Sequence, residues 1–197
     1  MQVKDKFLEK INLLILFFIL CFSHSLFAEN IYDKIFNYNN ALGNSSATFI
    51  QTNSNNIQEG EIFFGKERIK ISYKKPQRLT IILSEKKGMY INHELEETEF
   101  FITKNSYVKF FFDVFYKENH MKNMTVQSLG RQIEINKKIK QDNIFYNIKL
   151  TYEDEPIKLR TLEIISDDEK IKMGFFDHKL ENAFNKNFFS MIDPYLN

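Results

Sequence analysis

Apolar and polar residues alternate with a period of two through much of the chain, most clearly where Ile69, Ile71 and Tyr73 interleave with Arg68, Lys70, Ser72 and Lys74. Successive side chains of an extended strand point to opposite faces, so this spacing predicts half-buried antiparallel strands. Residues 47–102 hold several such runs separated by polar turns and read as a meander. The alternation returns at residues 124–128, 132–139, 143–152, 159–166 and 171–176, with Ile144, Tyr146, Ile148, Leu150 and Tyr152 as a clean set. Two segments break it. Residues 29–42 carry Ile31, Ile35, Tyr38 and Leu42 on one side and Asp33, Lys34 and Asn37 on the other, which predicts an amphipathic helix ended by Gly43 and Asn44. Residues 106–116 place Tyr107, Phe110, Phe111, Val114 and Phe115 at helical spacing, with Ser106 as the cap. The predicted order is a helix, six strands, a short helix and about five strands, closed by residues 188–194 as a short edge strand or extended tail. That string is mainly β with some α, and suits one strongly curved antiparallel sheet with helices on one side.

The N-terminus predicts export. Lys4, Lys6 and Lys10 precede the ten-residue apolar run 13–22, which is the length of a signal-peptide core and short of the ~20 residues of a spanning helix. Cleavage is expected after Ala28, with Ser25 as the alternative, which would place residues 29–197 in the periplasm as one domain. Cys21 follows Phe18, Ile19 and Leu20, not the small residue a lipoprotein signal needs, so the chain is not expected to be lipidated. Beyond residue 28 there is no cysteine and hence no disulfide; stability must come from apolar burial. Acidic and basic residues balance there at 24 each, which points away from nucleic acid and from anionic membrane surfaces.

Catalytic and metal chemistry find little support. His93, His120 and His178 stand far apart, and no pair has helical metal-ligand spacing. His93 beside Glu94, Glu96 and Glu97 reads as a solvated hairpin, because alternation splits the group between two faces. Asp167, Asp168 and Glu169 read as a polar turn. No GxSxG elbow, phosphate-binding glycine loop or paired-cysteine motif is present, so neither an enzyme nor a cofactor is expected. Sixteen of the 21 phenylalanines lie beyond residue 28, many as pairs: Phe63-Phe64, Phe100-Phe101, Phe175-Phe176 and Phe188-Phe189. Adjacent rings in a strand face both sides of the sheet, so both sides need cover. Helices inside with loops or exposed rings outside satisfy that need; so does a lidded apolar cavity.

The order of short motifs is what carries a family resemblance. Phe49-Ile50-Gln51 is followed by Glu59-Gly60 opening an aromatic strand, then by the alternating strand before Pro76, and the chain closes with Phe189-Ser190-Met191-Ile192-Asp193-Pro194. This sequence of features resembles the outer-membrane lipoprotein carrier protein family (LolA) over nearly all of residues 29–197. The resemblance implies an unclosed β-barrel with a lid of α-helices over an apolar cavity. It implies a periplasmic chaperone that takes lipoproteins by their acyl chains from an inner-membrane ABC transporter to an outer-membrane receptor, as a monomer. The implied acyl-chain cavity is lined from the first strands by Phe49, Phe64, Ile69, Ile71 and Tyr73, from the middle strands by Leu79, Ile81, Leu83, Met89, Ile91 and Phe100, and from the lid by Phe111 and Phe115. The family's lid-holding Arg-Pro falls on Lys66-Glu67, so the resemblance implies a lid contact from Lys66, or from Arg68 after a one-residue slip. A lipid-binding or envelope-sensing module of the same architecture is the alternative.

Overall fold

Among the described residues, two helices and eleven strands follow one another in the predicted order. The computed structural model describes residues 30–196 apart from 54–55, 105–106, 118–123, 142 and 168–169; the expected signal segment, its cleavage site and Ser106 lie outside the described residues. Helix α1 (Ile31–Ala41) is followed by β1 (Ser45–Asn53), β2 (Asn56–Gly65), β3 (Arg68–Lys75), β4 (Leu79–Leu83), β5 (Lys87–Asn92) and β6 (Glu97–Ile102). Helix α2 (Tyr107–Tyr116) then leads to β7 (Thr125–Leu129), β8 (Gln132–Gln141), β9 (Ile144–Glu153), β10 (Lys158–Ile165) and β11 (Lys170–Lys179). Asn44, at a φ of 64°, turns the chain out of α1, and the Ser45 amide donates to the Leu42 carbonyl at 2.9 Å.

All strands join one antiparallel sheet in the order β6-β5-β4-β3-β2-β1-β11-β10-β9-β8-β7. The two ends of this chain segment therefore meet in the middle of the sheet, and the connection between its free edges, β6 and β7, contains α2. The sheet is curved and unclosed, with both helices on its inner face. The register carries one set of residues inward throughout: Phe49 pairs with Phe175, Ile62 with Ile71, Ile71 with Ile81 and Leu150 with Leu162. Beneath the helices these close into a solid core of Ile35, Phe49, Ile62, Phe64, Ile69, Phe112, Phe115 and Tyr152, all essentially inaccessible to solvent.

The outer face has its own cover. Residues 180–196 form no strand; they run as an extended, turn-rich tail over the outside of β2 to β5. Phe188 stacks on Phe184 at 4.6 Å and meets Phe63 edge-on at 5.0 Å, while the Phe189 ring occupies the space a side chain at Gly65 would need. Further along, Met191 and Tyr195 pack on Ile82, Met89 and Ile91. Polar ties hold the end: Thr98 donates to the Asp193 carboxylate at 2.9 Å, and His93 shares 2.9 Å hydrogen bonds with Thr80 and with the Tyr195 hydroxyl. His93 is thus half-buried under the tail and not the solvated hairpin residue expected, whereas Glu94, Glu96 and Glu97 are exposed. Packing of the helices inside and of the tail outside accounts for both members of the Phe63-Phe64 pair.

Candidate functional site: an apolar cavity under α2

The inner face is filled at one end and open at the other. Between the sheet and α2 lies a cavity of about 410 Å³. Its walls are Ile71 and Tyr73 of β3, Ile81 and Leu83 of β4, Phe101 of β6, Leu162 and Ile164 of β10, and Gln51, Ile171 and Met173 of β1 and β11; Val108 and Phe111 of α2 form the roof. Several of these residues sit near hairpin turns: Gln51 pairs with Gln58 two steps before the β1–β2 turn, and Ile171 pairs with Ile164 beside the β10–β11 turn. At this end the Phe101 ring occupies the space that a side chain at Gly88 would need, and α2 contributes Val108 and Phe111.

Of the residues the resemblance implied, Ile71, Tyr73, Ile81, Leu83 and Phe111 line this cavity. Phe49, Phe64, Ile69 and Phe115 belong to the solid core behind it; Phe64 touches Phe115 at 4.9 Å, and Phe115 touches Phe111 at 5.0 Å. Leu79, half-buried, pairs with Tyr73 but is not part of the wall. Met89 and Ile91 lie on the outer face. Met89 pairs with Ile82, one step out of phase with the inward Ile81 and Leu83, so the apolar set of β5 faces the tail, and Gly88 and Tyr90 take the inward positions. Phe100 is likewise outward and 56% exposed, while its neighbour Phe101 lines the cavity. The resemblance extends to the later strands, but the cavity residues it implied all lie on β1 to β6 and α2, so it named none of the wall from β10 and β11. The alternation in those strands was legible, and their inward faces follow from it.

The lid is tied in a direction opposite to that implied. Among the described residues Lys66, exposed in the β2–β3 turn, makes no hydrogen bond or ion pair, and Arg68 donates locally, to the Glu67 carbonyl at 3.0 Å. Instead the Tyr116 hydroxyl, at the end of α2, donates to the carbonyls of Gly65 and Arg68 at 3.0 and 2.8 Å. Burial pushes the Tyr116 phenol above its ordinary value, so it stays a protonated donor. Glu67 has a φ of 51°, which a proline ring cannot adopt; the turn is built without the family's Arg-Pro geometry. A second tie is Asn39 of α1, buried on the apolar stripe. Its Nδ2 donates to the Val114 carbonyl in the last turn of α2 at 2.9 Å, and its Oδ1 accepts from the Tyr152 hydroxyl at 3.3 Å. Carbonyls in that turn lack partners within the helix, and Asn39 supplies one.

Among the described residues only Gln51 and Tyr73 bring nitrogen or oxygen side-chain atoms to the cavity wall, and none of those lining it is charged. Among the described residues no group of three or more His, Cys, Asp or Glu side chains is placed to hold a metal ion. Chemically the site can take up an apolar group and shield it from water.

An open antiparallel half-barrel with helices over an apolar interior is the class this geometry defines. Among solved structures the chain is similar to an uncharacterized conserved protein from Thermus thermophilus, at 8% identity over 80% of this chain and 89% of that one with a TM-score of 0.52, a likeness of fold alone. Weaker matches are LprF from Mycobacterium bovis, at 9% identity over 77% of this chain and 94% of that one with a TM-score of 0.39, and PNGF-II, at 6% over 75% and 29% with a TM-score of 0.37. No family model matches the chain, and no curated protein matches its sequence.

Proposed function

We propose that the protein is a periplasmic carrier of acyl chains, a lipoprotein chaperone that receives cargo from an inner-membrane ABC transporter and delivers it to an outer-membrane receptor. The observation that carries this reading is the apolar cavity beneath α2, roofed by Val108 and Phe111 and, among the described residues, lined by no charged side chain. The motif order from Phe49 to Pro194 supports the same assignment, and the charge pattern before residue 28 supports export. At ~0.8 kcal/mol per methylene, an acyl chain of about 15 methylenes costs on the order of 12 kcal/mol to leave in water, which makes a carrier necessary. A cavity that recovered all of this would never release its load. The rings of Phe101 and Phe111 at its border, and a lid held by a few hydrogen bonds, offset part of it.

Size favours a second reading. A cavity of about 410 Å³ lies toward the lower end of the range of small-ligand pockets, which suits one chain better than three. A triacylated lipoprotein therefore needs the lid displaced, whereas a lipid-binding or envelope-sensing module can work with one chain in the space as it stands. Mass spectrometry of material that purifies with the periplasmic form separates the two. Co-eluting lipoprotein supports the carrier; free phospholipid, or a stable complex with a membrane-bound regulator, supports the module. Protein that carries nothing apolar and takes up no apolar probe would exclude both.

A further inference from the structure

A cavity wall meant only to repel water would be apolar throughout, yet Gln51 stands in this one at 8% exposure. Its position is held from both sides. The Tyr73 hydroxyl donates to Gln51 Oε1 at 2.9 Å, and Gln51 Nε2 donates to Gln58 Oε1 at 2.8 Å. Tyr73 is fixed in turn by the Phe49 ring, edge-on at 5.1 Å, and Phe49 lies over Gly60, where a Cβ would meet it at 2.7 Å. The spaced residues Phe49, Gln51, Gln58, Gly60 and Tyr73 thus form one assembly at the hairpin end of the cavity.

A carboxamide nitrogen has two N–H groups, and Gln51 gives one of them to Gln58. Among the described residues the other has no protein acceptor, and Gln51 lines the cavity. A buried N–H without an acceptor costs free energy, which an acceptor on a bound ligand would recover. We propose that Gln51, oriented by Tyr73 and Gln58, binds the carbonyl oxygen at the head of an acyl chain, and so sets the chain with its tail toward Leu83 and Phe101 and its polar end toward the β1–β2 turn. Polarisation along the Tyr73–Gln51–Gln58 chain strengthens the donor. The inference rests on the acyl-binding reading above and names the group that reading leaves unspecified. The carbonyl is chemically the same in an N-acyl amide and in a glycerol ester.

The test is displacement of diphenylhexatriene from the purified protein by three chains of similar length: undecane, methyl decanoate and N-methyldecanamide. The carbonyl compounds are expected to displace the probe at about five-fold lower concentration than undecane, the gain of one net hydrogen bond. In Gln51→Leu that advantage falls to near unity while undecane is unchanged; in Tyr73→Phe, which keeps Gln51 but frees its oxygen, the advantage shrinks to about half. The amide ahead of the ester marks an N-acyl cargo, and the reverse order a glyceride. Equal displacement by all three chains in the unmodified protein, or an advantage that survives in both variants, overturns the proposal. If Gln51→Leu does not fold, Tyr73→Phe decides alone. A protein that takes up no diphenylhexatriene at all removes the cavity reading itself, and this inference with it.

Discussion

Asn39 of α1 donates to the Val114 carbonyl of α2 at 2.9 Å, and this single buried amide links the two helices to each other and, through the Tyr152 hydroxyl, to β9. A polar side chain on an apolar stripe is tolerated because both ends of its carboxamide are paired. It makes the helical cover one unit.

Replacing Asn39 with Leu strands the Val114 carbonyl and the Tyr152 hydroxyl in a dry interior. We expect a loss of about 2–3 kcal/mol in urea denaturation, together with faster uptake of an apolar probe as α2 separates from α1. Unchanged stability with unchanged uptake would show that the helices are held by packing alone.

Tyr116→Phe removes the donor to Gly65 and Arg68 and leaves the ring in place. The expected cost is about 1–2 kcal/mol, with probe uptake raised; Lys66→Leu should alter neither. The opposite pattern, with Lys66 decisive and Tyr116 silent, would restore the cation-to-helix tie of the resembling family.

Ile69 and Ile71 share a face of β3 but not a fate. Ile69 is wholly enclosed in the core, and Ile71 borders the cavity. Ile69→Glu buries an unpaired charge and should abolish folding, a penalty of several kcal/mol. Ile71→Glu should melt much closer to the unmodified protein and lose acyl binding. Circular dichroism melts of the two variants, with Lys70→Glu as the outward-facing control, give the comparison.

Acid should lower stability, through His93 under the tail and through His178 on β11. Burial lowers the His93 and His178 imidazoles below their ordinary value of 6.5. The unfolded chain then takes up protons before the folded one does, so stability is full above pH 6.5 and declines as pH falls from there toward the depressed folded values. Between pH 7.5 and 5.5 the melting temperature should drop, and the double variant His93→Gln, His178→Gln should flatten that slope. A slope identical in the variant would assign the pH response to other groups.

Period-two alternation and two helical interruptions were enough to give the order of strands and helices found among the described residues, because most inward residues of the sheet are apolar and many of their neighbours polar. Faces were harder where apolar residues fill both. In β5 the large residues Met89 and Ile91 are outward and the inward position opposite Leu83 is Gly88, an inversion that only the tail explains. The tail itself has no period to read, since Phe184, Phe188 and Phe189 pack by local turns. Asn39 did leave a trace: it lies four residues from Ile35 and three from Leu42, on the apolar stripe of α1. Lys66 was chosen from motif position alone, and nothing local fixed which partner would donate.

The neighbour relation between β1 and β11 governs when the molecule is able to fold. Ser46 pairs with Lys179 and Asn53 with Ile171, so the second edge of β1 stays bare until the last strand has been supplied. Pairings this distant in sequence are slow, because the closure entropy of a long loop precedes any gain from contact. An N-terminal piece ending at β6 would present β1 with an unsatisfied edge and an inner face lacking half its partners, a form prone to aggregate. A sheet whose two halves join only through its final strand can be completed only after nearly the whole chain is available.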